Sequence, residues 1–253
     1  MPEKEKGRKM TNKINRWPQW FDLAQSITGI LLVFFIGAHL VFESSILLGK
    51  DAMYQVARLF EGEHIFGKPY PILITLIALV IAFLIGMHAV LAIRKFPASY
   101  REYHLLNNHI RRFRHMDTLM WYLQVITGFI LFFVIPVHLY QPIMHPADIG
   151  PYISSDRIWS GRMWPLYLVL LFVVLVHAGI GFYRLTIKWG LLPIYKQPSR
   201  HKLRTIVLGI TTLFFILGLL TLAKYMHIGA EHAPNAGERY LPDNQQTSTH
   251  TPK

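Results

Sequence analysis

The chain has 253 residues, of which 52% are hydrophobic and only 16% are charged, and its mean hydropathy is positive at +0.30. This balance excludes an ordinary soluble domain and indicates a membrane protein. The chain has no cysteine, which excludes disulfides, thiolate metal sites, protein-ligated iron–sulfur clusters and covalently attached haem. Its 13 histidines are the remaining candidate ligands for a redox cofactor.

Five apolar segments are long enough to cross a bilayer, which takes about 20 helical residues. They lie at about 21–48, 70–94, 118–142, 164–189 and 204–226. The sequence therefore predicts an all-α bundle of five membrane-spanning helices over residues 20–228. The first segment is too long to be the apolar region of a signal peptide.

Polar segments flank the predicted bundle and define its topology. Residues 1–19 form a basic arm that could touch anionic lipid or a soluble partner, and residues 229–253 read as an irregular tail. Of the 26 Lys and Arg residues, 18 lie in 1–20, 94–116 and 184–204. This alternation predicts a cytoplasmic N-terminus and a C-terminus on the opposite side. The net charge of +12 therefore reflects membrane topology, and no nucleic-acid partner is expected.

An internal repeat places histidines in four of the predicted spans. The first and third spans share Q-x-I-T-G-x9-H-L, with His39 and His138 in the matching place. The second and fourth match more weakly, in "MHAVLAIRK" around His88 and "VHAGIGFYR" around His177. The repeat predicts two helical hairpins of the same plan, and the fifth span, which has no interior histidine, is interpreted as structural.

The topology sorts these four histidines by depth into an outer pair on the first and third spans and an inner pair on the second and fourth. Two neutral imidazoles facing one another suit a six-coordinate b-type haem, so two pairs predict two haems stacked along the membrane normal. A single intramembrane histidine could equally be hydrogen-bonded to a neighbour or face water. Zinc would need a compact tetrahedral cluster. A proton relay would recruit acids, which occur only near the ends of the first span, at Asp22 and Glu43.

A Thr-Gly step precedes each outer histidine by 10 residues, or about 15 Å along a helix. The two steps are Thr28-Gly29 and Thr127-Gly128. This offset places small residues near the depth of the inner pair. They could make room for the ring of the inner haem, or they could be ordinary small-residue helix packing.

With these histidines, the motifs "IGAHLVFESSILLG", "MHAVLAIRKFP", "VHLY" and "VHAGIGFYRLTIKWG" resemble a known family. It is that of the dihaem cytochrome b subunit of quinol:fumarate reductase and succinate:quinone oxidoreductase, in the five-helix, menaquinone-linked form of epsilon- and deltaproteobacteria. The resemblance covers roughly residues 20–226. It implies a multi-pass protein of the bacterial inner membrane with a periplasmic C-terminus.

The resemblance also implies cofactors and partners. His88 and His177 would ligate a proximal haem b, and His39 and His138 a distal one. The chain would anchor an FAD-containing flavoprotein subunit and an iron–sulfur subunit on the cytoplasmic side, and two such heterotrimers could form a dimer. Electrons from menaquinol, oxidised near the periplasmic face, would reduce fumarate at an active site on another subunit.

The resemblance carries over further site residues. The family's acid that accepts a proton from quinol matches Glu61 here, and Glu63 is a second candidate. Alternatively, Glu61 could be an ordinary solvent-exposed glutamate of the loop. Groups that steady haem propionates match Gln25, Ser26, Trp121 and Lys188, although Trp121 and Lys188 could be plain interfacial anchors. Arg157, with Ser154 and Ser155, could serve the outer haem.

One position departs from the pattern, and some alternatives stay open. Leu175 stands two residues before His177, where some dihaem members carry an acid that returns protons across the membrane. The sequence does not decide whether turnover moves charge across the membrane or uses another proton route. Electrons could also follow the same path in the opposite direction, in which case the complex would be a succinate:menaquinone reductase. Other hypotheses are the cytochrome b of a membrane hydrogenase or formate dehydrogenase, and a non-redox transporter.

Overall fold

The computed structural model describes residues 17–95, 99–101, 104, 108, 116–190 and 197–242. This part of the chain is helical, without strands. Five helices are long and apolar enough to cross a membrane: α1 (Trp17–Glu43), α4 (Ile72–Ile93), α5 (Met116–Met144), α7 (Trp164–Lys188) and α8 (Gln197–His232). The all-α fold with five spans is therefore confirmed, whereas the sidedness of the termini stays a prediction.

Shorter helices occupy the two connections on one side of the bundle. They are α2 (Lys50–Phe60), α3 (Glu63–Phe66) and α6 (Pro151–Trp159). In α2 the buried Met53 and Ala57 are four residues apart and share one face, which packs inward. The end of the molecule that carries α2, α3 and α6 is called the outer end below, and the opposite end the inner end.

The first and last helices extend beyond the ends that the sequence predicted. Helix α1 begins at Trp17, so the arm predicted over 1–19 is wrong for 17–19. Helix α8 continues to His232, so the irregular tail predicted from residue 229 is wrong for 229–232. The cause is tertiary: His232 is buried against Asp156 of α6, and its Nδ1 lies 2.9 Å from Asp156 Oδ1. The predicted arm over 1–16, the tail over 243–253 and much of the two basic connections lie outside the described residues.

The membrane helices pack in sequence around a ring. Helix α1 contacts α4, α4 contacts α5, α5 contacts α7, and α7 closes the ring on α1, while α8 packs outside against α7 and α1. Two apolar clusters close the ends of this bundle. The outer one includes Ile46, Ile158 and Tyr225, and the inner one includes Met120 and Leu203.

Large apolar side chains cover the outside of the bundle. Phe83, Val90, Phe129 and Leu213 are each exposed by 65% or more. Such a surface suits lipid, because helices satisfy their own backbone hydrogen bonds and need no water along the span. The polar interior positions are therefore the ones that demand a functional explanation.

Candidate functional site

The four predicted histidines form two pairs on the two diagonals of the helix ring. His39 of α1 faces His138 of α5, with ring centroids 6.0 Å apart and ring planes at 65°. His88 of α4 faces His177 of α7, with centroids 6.5 Å apart and planes at 85°. The structure thus brings together the same partners that the depth argument paired.

The spacing of the rings suits a single metal ion held between two imidazoles. With metal–nitrogen bonds of about 2 Å on each side, two such rings have centroids about 6 Å apart. Within the described residues, no three His, Cys, Asp or Glu side chains converge on a metal-sized site. Two facing imidazoles would be the ligands that the protein supplies to a six-coordinate haem, whereas a structural zinc site would need four protein ligands.

Threonine hydroxyls contact the inner histidines from neighbouring helices. Thr28 Oγ1 of α1 lies 3.1 Å from His88 Nδ1, and Thr127 Oγ1 of α5 lies 3.2 Å from His177 Nδ1. His177 Nδ1 also lies 3.0 Å from the carbonyl oxygen of Gln124, which can only accept. His177 Nδ1 is therefore the protonated nitrogen, and its Nε2 keeps the lone pair that a metal needs.

The glycines of the Thr-Gly steps lie against the same two rings. A Cβ at Gly29 would lie 3.1 Å from His88 Cε1, and one at Gly128 would lie 3.0 Å from His177 Cε1. Both distances are tighter than ordinary side-chain contacts, so glycine lets each ring approach the backbone of the neighbouring helix. The sequence placed these small residues at the right depth, but it did not indicate that they touch the histidines.

The outer histidines have aromatic neighbours. Phe35 stacks on His39 with centroids 5.5 Å apart and an interplanar angle of 12°. The Tyr167 ring meets His138 edge-on at 5.5 Å. The buried His138 Nδ1 has no hydrogen-bond partner among the described residues. Within the described residues, the outer rings therefore contact aromatic rings, whereas the inner rings contact threonine hydroxyls.

Glu61 is buried at the outer end, immediately after α2. It is 2% exposed, and its Oε2 lies 2.6 Å from Arg58 Nη1. Burial raises the pKa of the Glu61 carboxyl above its ordinary value, with Arg58 opposing the shift and Glu63 adding to it. The side chain of Glu63 is 37% exposed and lies farther from the guanidinium, with Oε2 3.8 Å from Arg58 Nε.

The segment that carries Glu61 packs against the outer end of α1. Phe60 contacts Phe42 with ring centroids 5.0 Å apart, and Phe42 follows His39 by three residues on α1. Gly62 adopts a left-handed φ of 76°, and a Cβ there would lie 2.7 Å from Leu73 Cδ1. Glycine is thus required for the sharp turn that follows Glu61.

The predicted propionate residues lie at the inner end. Ser26 Oγ accepts a hydrogen bond of 2.9 Å from Trp189 Nε1, and Lys188 Nζ lies 3.3 Å from Asp22 Oδ2. The Oε1 atom of Gln25 is buried without a hydrogen-bond partner in the described part of the chain. Trp121 is half-buried on α5.

Basic side chains at this end were missed by the sequence reasoning. Arg94 Nη2 and Lys95 Nζ each lie 2.9 Å from Asp22 Oδ1. Arg184 donates a short hydrogen bond to the Oε1 atom of Gln124, which is the repeat counterpart of Gln25. The Q-x-I-T-G repeat could have indicated Gln124, because it already paired the two glutamines.

The weaker outer candidates are engaged in local structure. Arg157 Nη2 donates to the carbonyl of Asp148 over 2.7 Å, and Ser155 Oγ donates to the carbonyl of Pro151 over 2.6 Å. Ser154 Oγ accepts from the backbone N–H of Gly150 over 3.4 Å.

Leu175 is 6% exposed in α7, where it occupies a buried, apolar position two residues before His177. It provides no group that could carry a proton.

Known proteins with similar sequences are respiratory membrane subunits. Residues 100–218 match the family described as succinate dehydrogenase/fumarate reductase transmembrane subunit. The fumarate reductase cytochrome b subunit of Helicobacter pylori is 40% identical over 214 residues, which cover 85% of this chain and 83% of the relative. That of Wolinella succinogenes is 40% identical over 245 residues, covering 95% and 91%.

This similarity confirms the resemblance drawn from the histidine motifs. It also decides against the hydrogenase, formate dehydrogenase and transporter hypotheses. The chain belongs to the family of fumarate reductase cytochrome b subunits and is a multi-pass protein of the bacterial inner membrane.

Proposed function

We propose that the chain is the dihaem membrane anchor of a menaquinol:fumarate reductase. The observation that carries this proposal is the pair of facing histidines on each diagonal of the helix ring. His39 and His138 would hold the distal haem, and His88 and His177 the proximal one. Two bound b haems would supply one-electron transfer between the outer and inner ends of the bundle.

The inner end has the charge that haem propionates require. Arg94, Lys95 and Lys188 share the single carboxylate of Asp22, which leaves an excess of positive charge there. The buried, unpartnered amide oxygen of Gln25 marks a polar group still open to a ligand. In the proposal, Gln25, Ser26, Trp121 and Lys188 steady the propionates of the proximal haem.

Glu61 is the proposed proton acceptor for menaquinol. Oxidation of a quinol releases protons together with electrons, so a carboxylate is needed beside the site. Burial favours Glu61 over Glu63, because a buried carboxylate with a raised pKa holds a proton more readily than an exposed one. Arg58 orients the Glu61 carboxylate through their 2.6 Å contact.

An apolar groove near Glu61 suits a lipid-soluble substrate. It has a volume of about 500 Å³ and runs along α1 past Phe34, Gly37 and Val41 to Phe42, with Phe214 of α8 on its other side. Phe42 connects the groove to Phe60 and hence to Glu61. This continuity supports a quinol headgroup at the outer end with its tail along the groove.

In the complex, this chain would anchor the flavoprotein and iron–sulfur subunits on the cytoplasmic side, within a dimer of heterotrimers. Fumarate would be reduced on the flavoprotein subunit and not on this chain. Because Leu175 cannot carry a proton, protons released at the outer end have no return path through that position.

The test is a haem assay with a reduced-minus-oxidised spectrum of the purified complex. We expect two protohaems per chain, and one or none would contradict the proposal. His88→Ala or His177→Ala should remove one spectral component, and His39→Ala or His138→Ala the other. His64→Ala, at an exposed position beside the same bundle, should keep both.

A further inference from the structure

The Thr-Gly step occurs twice with the same geometry, once against each inner histidine. The Thr–His distances are 3.1 and 3.2 Å, and the spaces beside the two glycines differ by 0.1 Å. Each step lies on the first helix of a hairpin, α1 or α5, and each histidine lies on the second, α4 or α7, which is its neighbour in the ring. Because the same contact geometry occurs at both inner histidines, it indicates a functional role rather than incidental packing.

The hydrogen bonds of the threonines define the direction of each contact. Thr28 Oγ1 lies 2.9 Å from the carbonyl oxygen of Ala24, and Thr127 Oγ1 lies 2.7 Å from that of Leu123. Each hydroxyl has one proton, and when it donates that proton to its own helix it accepts from the imidazole. The Gln124 carbonyl, which can only accept, makes Nδ1 the donor in His177, and the equal geometry of the Thr28 contact assigns the same direction to His88. In this tautomer Nε2 is left unprotonated.

The glycines fix the position of each ring from the other side. A methyl group at Gly29 or Gly128 would push against Cε1, the carbon between the two ring nitrogens. The threonine thus fixes the rotation of the ring, and the glycine fixes how closely it approaches the neighbouring helix. Together they orient Nε2 without contributing a ligand themselves.

We infer that the Thr28-Gly29 and Thr127-Gly128 steps are positioning clamps that preset the tautomer and orientation of His88 and His177 for iron. This inference rests on the proposed function, since it concerns the ligands of the proximal haem. Partners of this kind raise ligand basicity and metal retention, and their loss typically costs about 10- to 100-fold in metal affinity. The clamps act on the inner site alone, because the outer rings pack against Phe35 and Tyr167 instead.

The test compares Thr28→Val and Thr127→Val with Thr28→Ser and Thr127→Ser in the purified complex. Valine keeps the shape but removes the acceptor, whereas serine keeps the hydroxyl. We expect the valine variants to lose the proximal haem to a haem-scavenging protein about 10- to 100-fold faster, and to change its low-spin ferric resonance spectrum. The serine variants should restore both readouts.

Thr75→Val is the matched control, because the Thr75 hydroxyl contacts the carbonyls of Pro142 and Ile143 and no histidine. The distal haem in each sample reports that the bundle is folded. Gly128→Ala provides a second variant, which should disturb the proximal spectrum and leave the distal one unchanged.

Proximal haem loss and spectra equal to the parent in both valine variants would overturn the clamp while leaving the dihaem proposal intact. A parent complex with fewer than two haems would instead overturn the proposed function. The two failures are therefore distinguishable in the same experiment.

Discussion

The inner and outer histidine pairs have similar ring separations but different surroundings. At the inner pair, hydroxyl groups and glycines of neighbouring helices hold the rings. At the outer pair, aromatic side chains surround them, and the buried Glu61 segment packs nearby through Phe60 and Phe42. In the proposed function the inner site only transfers electrons, and residues of the membrane helices suffice to hold its rings. The outer site would also admit a quinol and release protons, and there a connection between helices contributes side chains as well.

The largest expected effect is that of Glu61→Gln, which should impair the reaction at the outer end and leave the inner end unchanged. Removing the proton acceptor should lower menaquinol-dependent fumarate reduction by about 100-fold or more, within the usual range for a general base. Reduction of fumarate by an artificial donor should stay normal, because that reaction bypasses the outer end.

The control for this variant is Glu63→Gln, which changes a partly exposed carboxylate two residues away. It should keep most of the menaquinol activity. Full menaquinol activity in Glu61→Gln, measured beside this control, would reject the assignment of the acid.

A second prediction compares how the contacts of an aspartate stabilise the two ends. Asp156 and His232 are buried at the outer end, with side chains 10% and 8% exposed, whereas Asp22 at the inner end is 37% exposed. Asp156→Ala leaves His232 and the Gly237 N–H without their acceptor and should lower the free energy of unfolding by about 2–5 kcal/mol, since each unsatisfied buried group costs about 1–3 kcal/mol.

Asp22→Ala, the matched change at the inner end, should lower the free energy of unfolding by about 1 kcal/mol or less, because water screens exposed pairs. Denaturant titration of the purified complex measures both values. Equal losses at the two ends would show that burial does not distinguish these pairs.

A smaller effect is expected on the pH dependence of quinol oxidation. Glu61 must be ionised to accept a proton, so activity should fall as the pH drops through its pKa, which burial raises above the ordinary value of 4.5. Arg58 opposes this shift, so Arg58→Gln should raise the pKa further and move the acidic limb to higher pH.

The measurement is the rate of menaquinol oxidation against pH in the parent and in Arg58→Gln. The control is Lys68→Gln, because Lys68 lies in the same connection but contacts the Tyr70 ring. This variant should leave the acidic limb of the pH–rate profile unchanged. A limb that moves to lower pH in Arg58→Gln would contradict the role given to the guanidinium.

Much of the architecture could be predicted from the sequence, because membrane spans depend on local hydropathy. A span needs only about 20 apolar residues in a row, so the five helices were placed to within a few residues at most ends. The exception was α8, whose polar extension to His232 is held by Asp156, a residue 76 positions away. Hydropathy contains no information about such a distant contact.

The histidines of the candidate site could be predicted from the sequence, but the residues that hold the histidine rings in place could not. The repeat and the alternating topology of the spans were enough to pair His39 with His138 and His88 with His177. They did not reveal that Thr28 and Gly29 contact a histidine on another helix, because that depends on how each helix is rotated about its axis.

The sequence by itself therefore determined the five spans from local hydropathy and the histidine pairs from the repeat and the topology of the spans, and its motifs carried the resemblance to the family. Only the tertiary structure decided which glutamate is buried, which nitrogen of His177 is protonated and which residues hold the inner rings. Those features arise where side chains distant in sequence meet, so their physical cause is packing between helices rather than periodicity within one.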